Sequence, residues 1–569
     1  DEQFLFEGSG WGHGVGMSQY GARGLALEGK GAADIISYFY RGASVGTASL
    51  SHSLWVGLLQ NRIEIRFEAR EGSLQLGIRK LPEGQQPKPL VAEPGESWAL
   101  RRLVNGNCRY FKDGQPQDVE AHCWASVSRP PDQPQAKLYL ADTGRTYGRG
   151  TLRVRPIGEA FHVLLEIGLE KYLYGLGEMP SSWPAAALQA QAIAARSYAV
   201  RRALNLGAES GLSAVRRQEC WCHLYATVKD QAYVGWEKEE GHWGAVWRNA
   251  IDATAGRVVT YGGQVISTFY FSSSGGATEN NVDGFGGTTQ LPYLTSVADP
   301  WSLDRGVNPN ASWSGSIAAG QIATAVGLEA LHSVRVISRN PSGSAKEVEF
   351  LGIKGKAPAR VVKLGREVRS LLGLRSSYFR VYMPPFRDDD GSVHEAAIVA
   401  IWRHDITRGC DASNPQRYCP EELVTRGQMA AFLVRGLGLQ AQGAPDAFSD
   451  DNGHLFEADI NALAESGVTK GCYRGRFCPD EPVNRGEMAA FLLRALTRHS
   501  GSDHSGAAHL PTYRGAFSDV GADRWDRGFI EHLQDHGITF GYPDGTYRPE
   551  DLVTRAEMAS FLARTFDLR

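Results

Sequence analysis

The feature that most constrains the fold is an internal repetition in the last third of the chain. Three similar segments begin at Phe386, Phe448 and Phe517, and they end in "VTRGQMAAFLVRGL", "VNRGEMAAFLLRAL" and "VTRAEMASFLARTF". Each segment carries two apolar patterns of helical period separated by a Gly-containing loop, which predicts a helix–loop–helix unit. One such unit cannot bury its own apolar face, so the three units are expected to share one core.

The start of the second helix is marked in two of the repeats. Thr425 with Gln428, and Thr554 with Glu557, have the spacing of a capping box. In this motif each side chain accepts a hydrogen bond from the backbone N–H of the other residue. The apolar stretch that follows each box is therefore predicted to be a packed helix.

The repeats resemble the S-layer homology family through "FSDV", "GITFGYPDGTYRP" and "VTRAEMASFLAR". The resemblance implies an all-α bundle of three repeats that binds an acidic secondary cell-wall polymer, since the fork of an Arg guanidinium suits a carboxylate. The alternative is that each Arg only forms an ion pair or covers its helix start. The repeats are predicted at 384–445, 446–500 and 515–569, and the polymer-binding residues are Arg426, Arg485 and Arg555.

The cysteines favour an oxidising compartment. Cys410 with Cys419, and Cys472 with Cys478, are short pairs at equivalent places of two repeats, and such pairs predict local disulfides. Zinc is the alternative, but no second ligand pair with finger-like spacing lies nearby. Two further sets are Cys108 with Cys123, predicted as a disulfide, and Cys220, Cys222 and His223, for which a metal site is the less favoured alternative.

Length and charge narrow the setting. A chain of 569 residues is too long for one domain. Its net charge of -3 gives no reason to expect nucleic acid or an anionic membrane as a partner, and no apolar run is long enough to span a bilayer. The chain begins with Asp1 rather than Met, which leads us to expect an exported protein whose signal peptide has been removed.

Glycine takes every second position from Gly8 to Gly16 in "GSGWGHGVGMSQYGARG". In a strand all of these glycines would face one way, and the bare face would let a ligand or another backbone come close. A flexible linker is the alternative, but linkers seldom carry residues such as Trp11 and His13. We therefore predict a strand beside a ligand cleft.

The middle of the chain carries a candidate general acid. In "EKYLYGLGEMPSSWPAAALQAQAIAARSYAVRRAL" a helix capped by Ser181 or Ser182 is apolar on every face and is therefore expected to be buried. Its Arg196 then needs a partner. Glu178 lies just ahead of the helix beside Met179, and a carboxyl group in apolar company has a raised pKa and can donate a proton near neutrality. The residues alone fit equally well with Glu178 as the partner of Arg196, or as a carboxylate at the helix dipole.

This stretch is similar to the signature of the stage II sporulation protein D and LytB family. "FYFSSSGGATENNVDGFGG", followed by "PYLTSVADP", resembles the second block of the family, and "GWGHGVGMSQYGARGLALEGKGAADIISYFYRG" resembles the third. The third block usually closes the domain, whereas here it opens the chain. A permuted order keeps the fold if the segment ending at Met383 lies next to the start. The resemblance covers most of residues 1–383, with a β-rich insert or subdomain at 51–150.

The resemblance implies a mixed α/β domain with peptidoglycan lytic transglycosylase activity, outside the cell and held at the cell wall by the repeats. Glu178 would protonate the glycosidic oxygen that follows N-acetylmuramic acid and then deprotonate the C6 hydroxyl of that sugar, so no second carboxylate is required. For a hydrolase, which needs a second acid, Glu279 is the nearest candidate. The implied partners are peptidoglycan glycan strands and the secondary polymer, with no cofactor and no metal. The predicted catalytic residues are Glu178 and His13, and the predicted substrate-binding residues are Gln19, Arg196, Ser273 and Ser274.

Two alternatives from other classes stay open at this point. The domain is an activator of a separate amidase, or it is a glycan-binding module without turnover in a structural cell-surface or S-layer assembly. The intact Glu178 argues against loss of turnover. The products formed from purified glycan strands would discriminate between the three functions.

Overall fold

The computed structural model describes residues 2–78, 90–383, 385–411, 414, 416–499 and 514–568. The chain is 30% helical and 27% strand and has several domains, as the sequence predicts. The polar stretch at 500–513, between the second and third repeats, lies outside the described residues.

The strands are β1 (Gln3–Gly8), β2 (Met17–Ser18), β3 (Ser44–Thr47), β4 (Leu54–Arg62), β5 (Glu64–Arg70), β6 (Leu74–Ile78), β7 (Leu90–Ala92), β8 (Ser97–Arg102), β9 (Asn107–Lys112), β10 (Gln115–His122), β11 (Ala125–Ser128), β12 (Lys137–Leu140), β13 (Arg145–Tyr147), β14 (Thr151–Ile157), β15 (Ala160–Ile167), β16 (Leu224–Tyr225), β17 (Arg257–Tyr261), β18 (Gln264–Val265), β19 (Tyr270–Phe271), β20 (Trp313–Ala318), β21 (Ala330–Arg339), β22 (Ala345–Lys354), β23 (Ala357–Leu364) and β24 (Phe379–Tyr382).

The α-helices are α1 (Gln19–Leu27), α2 (Ala32–Phe39), α3 (Leu169–Tyr174), α4 (Ala185–Leu206), α5 (Ala214–Glu219), α6 (Gly241–Asp252), α7 (Asn281–Gly284), α8 (Ala319–Val326), α9 (Gly365–Leu372), α10 (Glu395–Arg403), α11 (Arg426–Leu437), α12 (Glu457–Glu465), α13 (Arg485–His499), α14 (Arg527–Asp535) and α15 (Arg555–Thr565).

Residues 51–150 form β4 to β13, so this stretch is β-rich as expected. Its strands build two sheets, of order β10-β9-β8-β5-β12-β13 and β16-β4-β15-β14-β11-β6-β7. The second sheet takes β14, β15 and β16 from later in the chain, and a single core joins Val56 and Trp98 to Leu176 and Ala195. The β-rich stretch therefore shares its sheet and its core with the segment that carries Glu178.

The start of the chain lies beside the segment that ends at Met383. The strand β1 is the middle strand of a sheet of order β20-β1-β24, in which Leu5 pairs with Tyr382 and Gly8 with Phe379. This adjacency is the one that a permuted order requires. The sheet packs on α8, α9 and the β21-β22-β23 sheet through a core of its own.

The helix α4 is largely buried from Ala187 to Ala203, as its composition predicts, whereas Leu204 near its end is exposed. It begins at Ala185 with Pro184 at the cap position, not at a serine cap. One face, with Leu188 and Ala195, joins the core of the β-rich sheets, and another, with Ala190 and Ile193, joins the core formed with α1 and α2. Small alanine side chains allow this close packing on two sides, so α4 is shared by both cores.

The glycine-rich segment is not the regular strand that its alternation predicts. The glycines at 10, 12, 14 and 16 have positive φ angles of 82°, 125°, 82° and 83°. The residues between them form single bridges, Trp11 with Ser273 and Val15 with Glu279. A Cβ atom on Gly14 would lie 2.5 Å from Cγ of Glu279. The bare positions therefore receive the protein's own 269–279 segment rather than a ligand.

The three repeats contribute three helix pairs, α10 with α11, α12 with α13 and α14 with α15, to one shared core. Both predicted capping boxes are present, at Thr425 and Thr554. Three loop valines form a closed ring of backbone hydrogen bonds, from Val424 to Val553 (2.9 Å), from Val553 to Val483 (3.0 Å) and from Val483 back to Val424 (2.9 Å). Because isolated bridge pairs flank this ring, the prediction of an all-α bundle is not confirmed in full.

Candidate functional site

Glu178 lies half-buried in the loop between α3 and α4. Its Oε1 atom accepts a hydrogen bond of 2.5 Å from the backbone N–H of Ala232. Burial raises the pKa of Glu178, while the Ala232 amide, the Tyr270 phenol and the Lys238 ammonium group act in the opposite direction. Such a carboxyl group keeps its proton to a higher pH than a solvated one, and it has fixed donors once it is ionised.

The Tyr270 phenol is oriented by an amide. Gln231 Nε2 donates to the Ala195 carbonyl at 3.2 Å and to the Tyr270 hydroxyl at 2.9 Å, and its Oε1 accepts from the Tyr172 hydroxyl at 3.0 Å. The Ala195 carbonyl can only accept a hydrogen bond, which fixes the orientation of the amide. The Tyr270 oxygen thus accepts a hydrogen bond from Gln231, which leaves the Tyr270 O–H free to donate, and the Tyr270 phenol lowers the pKa of Glu178.

Lys238 supplies a cation close to this carboxyl group. Its Nζ atom donates to the Met179 carbonyl at 2.6 Å and lies 5.2 Å from the centre of the Trp247 ring. Burial lowers the pKa of Lys238 to about 8, and the charge of Glu178 acts against this shift. The site therefore pairs a carboxyl group of raised pKa with an amine of lowered pKa, a combination typical of catalytic sites.

Arg196 is the partner of Glu170, not of Glu178. The guanidinium group donates two hydrogen bonds to the Glu170 carboxylate, at 2.8 and 2.7 Å, and a third to the Arg257 carbonyl at 3.1 Å. The Arg196 side chain is 0% exposed. The prediction that Arg196 binds substrate is therefore not supported, because no part of it is open to a sugar. The same pairing removes the alternative that Glu178 only neutralises Arg196.

His13 packs against the phenylalanines that flank Tyr270. Its ring centre is 5.5 Å from that of Phe271 and 4.8 Å from that of Phe285, and its Nδ1 accepts from the Val15 N–H at 3.1 Å. Burial lowers the pKa of His13 to about 4, so the ring is neutral at pH 7. Among the described residues no hydrogen bond or ring contact joins His13 to Glu178. Its catalytic role remains a prediction that this geometry does not support.

Gln19 begins α1 and is buried against α4. Its Nε2 donates to Gln191 Oε1 at a long 3.4 Å. The buried Ser273 pairs through its backbone with Trp11, and its Oγ has no hydrogen-bond partner among the described residues. Neither side chain has the exposed surface that direct contact with a sugar requires, so their substrate-binding roles remain predictions.

Ser274 belongs to a buried network around a carboxyl group that the sequence did not single out. Its Oγ donates to Asp299 Oδ2 at 2.7 Å, and the Ser302 hydroxyl donates to the same oxygen at 2.6 Å. Ser302 also contacts the Ser18 hydroxyl at 2.9 Å. Burial raises the pKa of Asp299. The network joins the start of α1 to the 273–302 loops, which is a structural role for Ser274.

Glu279 is held by Ser342 and by the glycine-rich segment. Its Oε2 accepts from the Ser342 hydroxyl at 2.7 Å, and its backbone N–H donates to the Gly14 carbonyl at 2.7 Å. Burial raises the pKa of Glu279 as well. No contact joins Glu279 to Glu178 in the described part of the chain.

All eight cysteines are paired in disulfides: Cys108–Cys123, Cys220–Cys222, Cys410–Cys419 and Cys472–Cys478. His223 is also occupied, because its Nδ1 accepts from the Trp55 N–H at 3.0 Å and its Nε2 lies 2.8 Å from the Gly207 carbonyl. A metal ligand needs a free thiolate or imidazole lone pair. In the described residues Cys220, Cys222 and His223 offer neither.

The three arginines of the repeats are buried and cross from one repeat to the next. Arg426 Nε donates to the Phe477 carbonyl, Arg485 Nε to the Tyr547 carbonyl and Arg555 Nε to the Tyr418 carbonyl, each at 2.8 Å. Their exposed fractions are 3%, 5% and 2%. The prediction that they contact a cell-wall polymer is not supported by this placement, because each guanidinium group faces a neighbouring repeat instead of solvent.

Sequence reasoning missed Tyr270 and Lys238. Tyr270 lies between Phe269 and Phe271, and in an extended segment alternate side chains face opposite sides. The two phenylalanines pack near His13, while Tyr270 faces Glu178. That alternation was the available signal for Tyr270. Lys238 has none, because only the tertiary fold brings it to Glu178.

Comparison with known protein families agrees with these motifs. Residues 158–261, which include Glu178 and Lys238, match the family model described as stage II sporulation protein. Residues 447–489 and 516–559 match the S-layer homology domain. The chain carries a stage II sporulation protein domain and S-layer homology repeats. The glycine-rich segment and the first repeat lie outside these matches.

Several curated proteins are similar to parts of this chain. Stage II sporulation protein D of Bacillus amyloliquefaciens is 29% identical over 275 residues, which are 46% of this chain and 74% of that protein. Cell surface glycoprotein 1 of Acetivibrio thermocellus is 31% identical over 26% of this chain and 7% of its own length. An uncharacterized cell wall amidase of Bacillus anthracis is 30% identical over 28% of this chain and 29% of its own length. The last two matches thus span less than a third of each relative.

None of the helices in the described residues combines the length and the apolar character needed to cross a bilayer.

Proposed function

We propose that the chain is a peptidoglycan lytic transglycosylase held at the cell surface, in which Glu178 acts first as general acid and then as general base. The observation that carries the proposal is the state of Glu178, whose pKa is raised by burial. The Ala232 amide donates to it, the Tyr270 phenol lowers its pKa, and Arg196 is paired with Glu170 instead. The match of residues 158–261 to the stage II sporulation protein family supports the same assignment.

The proposed reaction uses one carboxyl group twice. Protonated Glu178 gives its proton to the glycosidic oxygen, and the bond from C1 of the muramic sugar to that oxygen breaks. The Glu178 carboxylate, now stabilised by the Ala232 amide and the Tyr270 hydroxyl, takes the proton of the C6 hydroxyl of the same sugar. The C6 oxygen bonds to C1 and forms a 1,6-anhydro ring. Glu178 ends protonated, so no water is consumed.

In this proposal the other predicted site residues do not contact substrate but position the segments that carry Glu178 and Tyr270. His13 packs on the segment that carries Tyr270, and Gln19 fixes α1 on α4. Ser273 and Ser274 hold the loop that follows Tyr270. Arg196 fixes α3 to α4 through Glu170. Their variants are expected to lower activity through the position of Glu178 and Tyr270.

We further propose that the repeats, with boundaries 384–445, 446–500 and 515–569, form a three-repeat bundle that anchors the 1–383 domain to a secondary cell-wall polymer. The S-layer homology matches support an extracellular, cell-surface location. Because the three arginines are buried, the polymer contacts are expected on other residues of the repeats.

Digestion of purified glycan strands, with the products identified by mass spectrometry, tests the catalytic proposal. The expected products end in 1,6-anhydro-muramic acid. Glu178→Gln should lower turnover by about 10²–10⁴-fold, and Glu279→Gln is the matched control that should retain activity. Reducing-end products would instead indicate hydrolysis. If the wild-type protein gives no product from intact or peptide-free strands, the amidase-activator or structural alternatives would replace the proposal.

A further inference from the structure

The first repeat contacts the sheet at the start of the chain through α10. Glu395, at the start of α10, accepts a hydrogen bond from the Ser316 hydroxyl of β20 at 2.6 Å. Arg403, at its end, donates to Glu7 of β1 at 3.0 Å, and its guanidinium carbon lies 3.3 Å from the centre of the Tyr382 ring of β24. The two ends of α10 therefore engage all three strands of the β20-β1-β24 sheet.

The charges at this contact are complementary. Arg403 and Glu7 are largely withdrawn from water, with side chains 17% and 20% exposed. A second pair joins Arg387, ahead of α10, to Glu2 at 3.1 Å. Both cations belong to the repeat, and both anions belong to the N-terminal segment that includes β1. An ion pair shielded from solvent is screened less by salt than an exposed one.

The second and third repeats lack this set of side chains. With Ile401, Leu463 and Leu533 aligned as equivalent buried positions, Arg403 corresponds to Glu465 and Asp535. These acids would repel Glu7 if either repeat took the place of the first.

Two further positions follow the same pattern. Arg387 directly follows the first phenylalanine of its repeat, where the other repeats have Ser449 and Ser518. Val399, which is fully buried, corresponds to Asn461 and Glu531. In the second and third repeats these polar side chains accept backbone N–H groups from the segment ahead of their helix, at Ala447 and Ala516. The first repeat is therefore the one in which the residues at these three positions, Arg403, Arg387 and Val399, suit contact with another protein surface.

We propose that α10 is an intramolecular docking surface, specific for the β20-β1-β24 sheet, that fixes the repeats to the rest of the chain in one orientation. The first repeat then serves as an adaptor, and the second and third repeats are the ones left for the cell wall. The two S-layer homology matches lie in those two repeats and leave the first one out. The proposal does not depend on the catalytic activity.

A charge-swap cycle on the full-length chain tests this docking. Arg403→Glu places two carboxylates together and should raise the undocked population about tenfold. The expected readouts are faster tryptic cleavage after Arg387, whose ion pair with Glu2 is lost on undocking, and a larger maximum dimension in small-angle X-ray scattering. Adding Glu7→Arg to Arg403→Glu should restore both values. Glu465→Arg, at the equivalent place in the second repeat, is the matched control and should change neither.

Two outcomes would overturn the proposal. The first is an unchanged cleavage rate and scattering profile in Arg403→Glu. The second is a failure of the double variant to recover while its circular dichroism spectrum stays that of the wild type. A loss of folding in Arg403→Glu that Glu7→Arg repairs would support the pairing, because only a direct interaction between the two residues predicts such a repair.

Discussion

Replacing Arg555 by Ala should destabilise the bundle of repeats rather than remove a ligand contact. The side chain is 2% exposed, and it donates to the Tyr418 carbonyl at 2.8 Å and to the Gly409 carbonyl at 3.2 Å. Its guanidinium carbon also lies 4.8 Å from the centre of the Tyr418 ring. These contacts join the third repeat to the first.

The size of the effect follows from the contacts that are lost. A hydrogen bond from a charged donor contributes about 1.5–3 kcal/mol, and relief of the buried charge offsets part of the loss of two such bonds. We therefore expect Arg555→Ala to lower the free energy of unfolding by about 3 kcal/mol. For a module of this size that corresponds to a fall in melting temperature of about 6–12 °C.

Differential scanning calorimetry of the full chain, with binding to cell-wall sacculi measured in parallel below the transition, provides the assay. Arg548→Ala in the same repeat is the control, because Arg548 is exposed and, among the described residues, its side chain pairs with exposed groups such as Asp544. Its melting temperature should stay close to that of the wild type, because exposed ion pairs contribute little to stability. A melting temperature of Arg555→Ala within about 2 °C of the wild type, together with lost binding, would refute this reasoning and restore Arg555 as a polymer ligand.

Two further predictions concern the Glu178 site and the glycine segment. The general acid must be protonated, so activity on glycan strands should fall as the pH rises through the raised pKa of Glu178. Because the Tyr270 hydrogen bond lowers that pKa, Tyr270→Phe should move the fall to higher pH; a move to lower pH in the pH–rate profile would contradict the assigned donor. Gly14→Ala combines a positive φ with a close contact and should cost about 2 kcal/mol or more, whereas Gly29→Ala, with a similar φ in open space, should cost about 1 kcal/mol. Equal losses in urea unfolding would show that the close contact contributes nothing.

Local sequence patterns predicted the local features of this fold. The capping box at Thr425, the disulfide Cys410–Cys419 and the buried helix α4 each depend on residues near one another in the chain. The family resemblance placed the segment ending at Met383 beside β1, and the structure has that arrangement. These features could be predicted because the physical cause lies within the motif itself.

The predictions that failed depend on which groups surround a residue in the folded protein. Alternating glycines give a period of two but not the sign of φ, so the segment from Gly10 to Gly16 was predicted as a strand. A buried Arg196 demands a carboxylate, but sequence alone did not choose Glu170 over Glu178. Arg555 directly follows the helix cap Thr554, where the family resemblance predicts a polymer-binding residue, but the first repeat covers its side chain. Each of these outcomes is decided by tertiary packing between distant segments.

The connection from Arg555 to Tyr418 has a consequence for biosynthesis. The two residues are 137 positions apart. The Tyr418 and Gly409 carbonyls of the first repeat therefore have no hydrogen bond from Arg555 until the third repeat has been synthesised. The backbone ring of Val424, Val483 and Val553 closes over a similar distance. Contacts of such long range slow folding, because a large loop must close before any of them forms. A nascent chain that ends after the second repeat therefore cannot complete the bundle, and the three repeats are expected to fold as one unit after synthesis of the third.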